Sequence, residues 1–144
     1  SIPERGCKVA LVNPEDVTYV WDDALPLLNK ALKHSEGELV AEDLIKHLDK
    51  GDLRMWVAMK DNEFIACMVT EIINYPRKKI VRVITLAGKD METWYDFLPM
   101  LESYAINNEC SSLDQARKFF PRLPLLIQRV SQTHQEVPPN GVTI

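Results

Sequence analysis

No stretch of this chain reaches the ~18 consecutive apolar residues that a membrane-spanning helix needs, and its first residues, Ser-Ile-Pro, lack the pattern of a secretory signal. That start is compatible with removal of an initiator methionine. Cysteine is scarce. Cys7, Cys67 and Cys110 are three, widely spaced, with no CxxC pair. An odd count without pairing argues against a disulfide framework or a zinc site, and points to reduced thiols in a cytosol. A strong charge of one sign is missing too: 17 basic residues face 21 acidic ones, for a net −4. That balance argues against a general nucleic-acid binder. No tyrosine follows Tyr104, and Ser111-Ser112 and His134 do not combine with an acidic partner at a recognisable catalytic spacing. Among the histidines, His34 and His47 are expected on solvated helix faces or ends, and His134 lies far out in the tail.

What is present is enough apolar residue for one packed domain: 46% of 144 residues are hydrophobic. Lys79–Ala87 is the most telling stretch. Ile80, Ile84 and Leu86 alternate with Val81, Val83 and Ala87, and only Arg82 and Thr85 interrupt. Apolar residues on both faces predict a central strand covered on both sides. Gly88 ends it, and Asp90 is suited to cap a following helix. That helix carries Trp94, Phe97, Leu98, Leu101, Tyr104 and Ala105 at helical spacing, with a kink expected at Pro99.

Upstream, Lys8–Val12 reads as a first strand. Pro14-Glu15-Asp16 starts a helix whose stripe runs Val17, Val20, Trp21, Ala24, Leu28, Ala31 and Leu32, bent at Pro26. A second helix carries Val40, Ala41, Leu44, Ile45 and Leu48, and Gly51 closes it. Leu53–Lys60 and Phe64–Tyr75 form a hairpin around Asp61-Asn62, a pair that tolerates positive φ. The basic run Arg77-Lys78-Lys79 reads as a solvated turn. The order is β-α-α-β-β-β-α-β, an α/β (α+β) arrangement with a mixed, mainly antiparallel sheet and helices on both faces. Residues 1–113 form its core, with Cys110–Leu113 as the fifth strand. Residues 114–144 form an atypical C-terminal segment.

Within that order, Trp56–Ile72 (WVAMKDNEFIACMVTEI) resembles the central hairpin of the GNAT family of N-acetyltransferases. Val81–Leu113 resembles the family's cofactor strand, its long helix and the start of its fifth strand. The run Leu86–Asp90 (LAGKD), ahead of a helix carrying a tryptophan, is similar to small GNAT-like proteins encoded by tailed bacteriophages. The resemblance implies a GNAT fold. It also implies a site for acetyl-CoA at the turn after the central strand, where Leu86, Ala87, Gly88 and Lys89 would be the cofactor-binding residues.

That turn departs from the family's glycine-rich form Q/R-x-x-G-x-G/A. Such a turn aims backbone N–H groups at the CoA pyrophosphate, helped by the helix dipole. Here it has one glycine, and Asp90 sets a carboxylate where the pyrophosphate would lie. Glu71 is the catalytic candidate, a strand carboxylate able to accept a proton from an attacking amine. The general acid that the family usually takes from a later tyrosine has no counterpart.

Three functions follow from this reading. The first is a phage GNAT-like protein without acetyltransferase activity, acting in virion assembly or as a virion accessory. The second is a CoA-dependent N-acetyltransferase with an atypical pyrophosphate turn. The third is a module that binds a host protein. No metal is expected. No cofactor is expected either, unless the enzyme reading holds and acetyl-CoA is used. Phe119, Phe120, Leu123, Leu125, Leu126 and Ile127 form a large apolar cluster broken by Pro121 and Pro124, so the C-terminal segment is expected either to close the domain's own sheet or to carry a protein partner or self-association. The expected location is the cytoplasm of a bacterial host, or the virion.

Overall fold

The computed structural model describes residues 8–33, 39–89 and 95–114. Strand β1, Lys8–Val12, leads through a single 3-10 turn, Pro14–Asp16, into helix α1, Val17–Leu32. Helix α2 is Ala41–Lys50. Three consecutive strands follow: β2 Leu53–Lys60, β3 Glu63–Asn74 and β4 Lys79–Gly88. Helix α3, Phe97–Asn107, returns the chain to a short strand β5, Ser112–Asp114. The sheet runs in chain order, β1-β2-β3-β4-β5. Every pair is antiparallel except β4 with β5.

The local reasons are legible. The α1 stripe buries Val17, Val20, Ala24, Leu28 and Leu32, and the helix runs on through Pro26. The Asp43 carboxylate accepts the Val40 N–H at 3.1 Å and so satisfies one donor at the start of α2. Gly51 ends that helix at φ +84°, a left-handed value that favours glycine. Asp61 and Asn62 both take positive φ, 52° and 63°, as a two-residue turn between twisted strands requires.

Pro99 does not kink the helix it sits in. It is the third residue of α3, in the first turn, where no N–H partner exists within the helix to be lost. The proposed cap Asp90 and the apolar anchor Trp94 lie outside the described residues.

The two faces of the sheet carry separate cores. On one, α3 places Phe97, Leu101, Tyr104 and Ala105 against Trp56, Met68, Val81, Val83 and Leu86. Trp56 is completely buried. Its indole Nε1–H donates to Thr70 Oγ1 at 3.0 Å, and the Tyr104 ring meets it edge-on with centroids 5.2 Å apart. Burial pushes the Tyr104 hydroxyl above its ordinary pKa, with Arg54 opposing. On the other face, α1 and α2 cover Met55, Val57, Cys67 and Val69.

One departure from simple alternation matters for function. Val69 pairs with Thr85, but Thr70 pairs with Val83, so Ile84 is an extra residue on β4. This bulge shifts the side-chain phase. Val81 and Val83 face α3, and beyond the bulge Leu86 does so as well. Ile84 turns to the α1–α2 side. The strict two-face division expected for the strand therefore holds only up to Val83.

Phe97 and Leu101 have no exposed surface. Phe97→Ala or Leu101→Ala is expected to cost about 2–5 kcal/mol, from lost transfer energy plus a cavity. A denaturant midpoint unchanged in both variants would contradict this packing. Burial also pushes the Cys67 thiol up to about 12. The unfolded thiol ionises near its ordinary 9.0, so the group's contribution is fully present below that pH and is lost as pH rises toward about 12. At pH 8 Cys67 should resist alkylation until the protein is denatured. Prompt labelling of native Cys67, located by peptide mass, would rule this out.

Candidate functional site

The bulge and one side of α2 frame a cavity of about 340 Å³ on the α1–α2 side of the sheet. Its walls are aliphatic: Leu39 and Leu44 from the α2 region, Leu53 from β2 and Ile84 from the bulge. Its ionisable groups are Asp43, His47, Asp52 and Glu71. Three carboxylates against one imidazole give the space a net negative lining, offset in part where the Arg82 guanidinium approaches Glu71.

Glu71 reaches this cavity because strand alternation holds along β3 from Ala66, past the extra residue Ile65, to Glu71. Cys67 and Val69 face the helices, and two residues on, Glu71 does the same. Glu71 is about 29% exposed, and its Oε1 lies 3.8 Å from Nη1 of Arg82. Arg82 in turn donates from Nε to Asp114 Oδ2 at 3.1 Å. The three residues are register partners across β3, β4 and β5, opposite one another in a single row. The hydrogen bond to Asp114 raises the Arg82 pKa above its ordinary value, so this guanidinium is a fixed positive charge.

Sequence reasoning singled out only Glu71 of this group. Arg82 and Asp114 were legible only through register: an arginine on β4 opposite a glutamate on β3 is a cross-strand ion pair once the hairpin is aligned. His47 was placed on a solvated helix face. It is indeed more than half exposed, yet it lines the cavity and lies 3.4 Å from Asp52. Nothing in the spacing of residues on α2 announces that contact, because Asp52 belongs to the turn beyond Gly51.

The four expected cofactor-binding residues do not gather at this cavity. Leu86, Ala87 and Gly88 complete β4. The Lys89 backbone N–H donates to the carbonyl of Ile65 at 3.0 Å, so it continues the ladder to β3 and does not face outward. Its ammonium pairs with Glu63, and that pairing holds the Glu63 carboxyl below its usual pKa. Both side chains of this pair are about three-fifths exposed, so the pairing is weak and the ammonium can exchange partners. Tested as a pyrophosphate seat, the turn therefore offers the Lys89 ammonium and no backbone donor from Lys89. Asp90 and Met91, the rest of the turn, lie outside the described residues.

β5 meets β4 only over Ile80–Arg82 in the described residues. The later half of β4, from the bulge to Gly88, has no described partner on that side. Among the described residues no group of histidine, cysteine and acidic side chains could hold a metal ion, and no helix is long and apolar enough to cross a membrane.

No known family profile matches the sequence, and no curated protein matches it. Solved structures do resemble it. A ribosomal-protein-alanine N-acetyltransferase from Brucella melitensis superposes with a TM-score of 0.61 at 14% identity, covering 92% of this chain and 97% of its own. An aminoglycoside acetyltransferase from an uncultured soil metagenomic sample gives 0.62 at 11% identity, covering 93% and 99%. A predicted acetyltransferase from Clostridium acetobutylicum, solved with acetyl-CoA, gives 0.56 at 13% identity, covering 91% and 95%. At such identities the likeness concerns the backbone, and over nearly the whole length of each of these neighbours the chain has the GNAT fold of N-acetyltransferases.

Proposed function

We propose that the chain is an acetyl-CoA-dependent N-acyltransferase whose acceptor is a primary amine. The observation that carries this is the position of Glu71, which opens into an acidic, aliphatic-walled cavity beside the bulged Ile84. Acetyl-CoA, when bound, supplies the activated acyl thioester. The chain's own residues do the rest. Asp43, Asp52 and Glu71 attract a protonated amine, and Leu39, Leu44 and Leu53 keep water from its carbon skeleton. An ammonium cannot attack a carbonyl until it sheds a proton, and Glu71 takes that proton directly or through one water. A bulge leaves backbone groups out of the strand ladder. An amide freed near Ile84 would stabilise negative charge on a carbonyl oxygen.

A second reading is favoured by Lys89. Its N–H is committed to Ile65 and its ammonium to Glu63, and Asp90 adds a carboxylate to the same turn. A pyrophosphate would find little there, as in a GNAT-like phage protein that has left catalysis. In that reading the protein serves virion assembly or accompanies the virion, and the segment from residue 114 onward makes the partner contacts.

Two measurements separate the readings. In the first, acetyl transfer to phenethylamine is followed by thiol release, with acetyl-CoA binding read by calorimetry. Glu71→Gln should lower kcat about 10²–10⁴-fold and leave acetyl-CoA affinity intact. A parent protein that neither binds acetyl-CoA nor transfers acetyl, and that co-purifies with virions, would put the second reading ahead. In the second, Glu63→Gln releases the Lys89 ammonium, so acetyl-CoA should bind severalfold more tightly at low salt, and the gain should shrink as salt rises. Equal affinity of variant and parent at low salt would show that Lys89 takes no part in holding the cofactor.

A further inference from the structure

The row Glu71–Arg82–Asp114 has a role beyond joining three strands. We propose that Arg82 is a positioning residue: pinned by Asp114 on β5, its guanidinium holds the Glu71 carboxylate turned into the cavity. The inference rests on the transfer reaction proposed above for Glu71.

The geometry is asymmetric, and that asymmetry assigns the roles. Arg82 makes a directed hydrogen bond to Asp114, Nε to Oδ2 at 3.1 Å. It stands farther from Glu71, at 3.8 Å from Nη1 to Oε1. The shorter contact fixes the guanidinium plane. The longer one is electrostatic and steers the carboxylate while leaving its oxygens open to a proton. The register gives the pair no freedom to slide, since Glu71 faces Arg82 and Arg82 faces Asp114 in successive strand pairs. Tyr75, beyond the end of β3, also contributes favourably to the Arg82 charge.

An unsteered glutamate in this place would have competing options. A flexible side chain that is one-third exposed samples rotamers pointing to solvent. Holding it in one rotamer is what a proton acceptor within hydrogen-bond reach of an amine requires. Asp114 lines no part of the cavity, so any effect it has on turnover must travel through Arg82. That makes it the informative residue to change.

The test uses the full chain with acetyl-CoA and phenethylamine. Arg82→Met should lower kcat about 10–100-fold with KM for acetyl-CoA unchanged, and Arg82→Lys should recover part of the loss. Asp114→Asn should lower kcat in the same direction by a smaller factor. In the double variant, Asp114→Asn should add nothing to the loss caused by Arg82→Met. Losses that multiply in the double variant, or single variants within twofold of the parent, would overturn the role. Crystal structures of Arg82→Lys and Asp114→Asn supply a readout that needs no activity. The Glu71 carboxylate should swing away from Ile84 in Asp114→Asn, and an unmoved carboxylate there would refute the proposal. An inactive parent would defeat the transfer reaction alone, leaving the positioning of Glu71 to be decided by those structures.

Discussion

A strand buried on both faces cannot offer a working surface unless something breaks its regularity, and in this molecule the break is the extra residue Ile84. Before it, β4 serves α3 with Val81 and Val83. After it, Leu86 serves the same helix, while Ile84 itself is turned toward α1 and α2. The bulge lets one strand keep its core contacts and still put a wall on the cavity. The Ile84 wall of the cavity follows from that single inserted residue, and Glu71 reaches the same space through the alternation of β3.

Charge is distributed on the same plan. The α3 face is sealed by Trp56, Phe97 and Tyr104, and the indole N–H of Trp56 is satisfied there by Thr70. The α1–α2 face instead collects Asp43, His47, Asp52 and Glu71 around partly open space, with Arg82 beside Glu71. Burying charge is costly unless it is paired, so a fold that gathers this many ionisable groups at one end of one face keeps them where solvent or a ligand can reach. The opposite end of β4 shows the reverse: Lys89 is drawn back into the sheet through Ile65 and across to Glu63.

Much of this was legible in the sequence, for reasons specific to each element. Asp61-Asn62 announced the hairpin because few other pairs accept two positive φ values. The stripes of α1 and α2 announced the buried Val17, Val20, Ala24, Leu28, Leu32, Ala41, Leu44 and Leu48, since period alone sets a helix face, but Val40, ahead of α2, is exposed. Glu71 could be named as a candidate because it is a carboxylate within a long apolar strand. Its partners could not. Arg82 and Asp114 become neighbours of Glu71 only when three strands are aligned. The bulge that displaces Ile84 is a property of a pair of strands and has no signature in one. Pro99 was misread because the start of α3 was placed too early, which turned a first-turn proline into an interior one. The cavity depended on where α2 lies over the sheet, which no local pattern states.

The unequal lengths of the chain connections have a consequence for assembly. β2, β3 and β4 are joined by Asp61–Asn62 and by residues 75–78, so their pairing closes very short loops. β1 reaches β2 only after residues 13–52, and β5 reaches β4 only after residues 89–111. Lengthening a loop tenfold adds about 2 kcal/mol of closure entropy, so the central meander can hold together before either edge strand arrives. Glu71 and Arg82 belong to that early unit, and Asp114 belongs to a strand added late. The carboxylate and its guanidinium are thus brought side by side by the most local part of the chain, and the lock that orients them arrives with one of its most distant contacts. Such an element opens first when the native state fluctuates, a ranking that amide exchange reads directly.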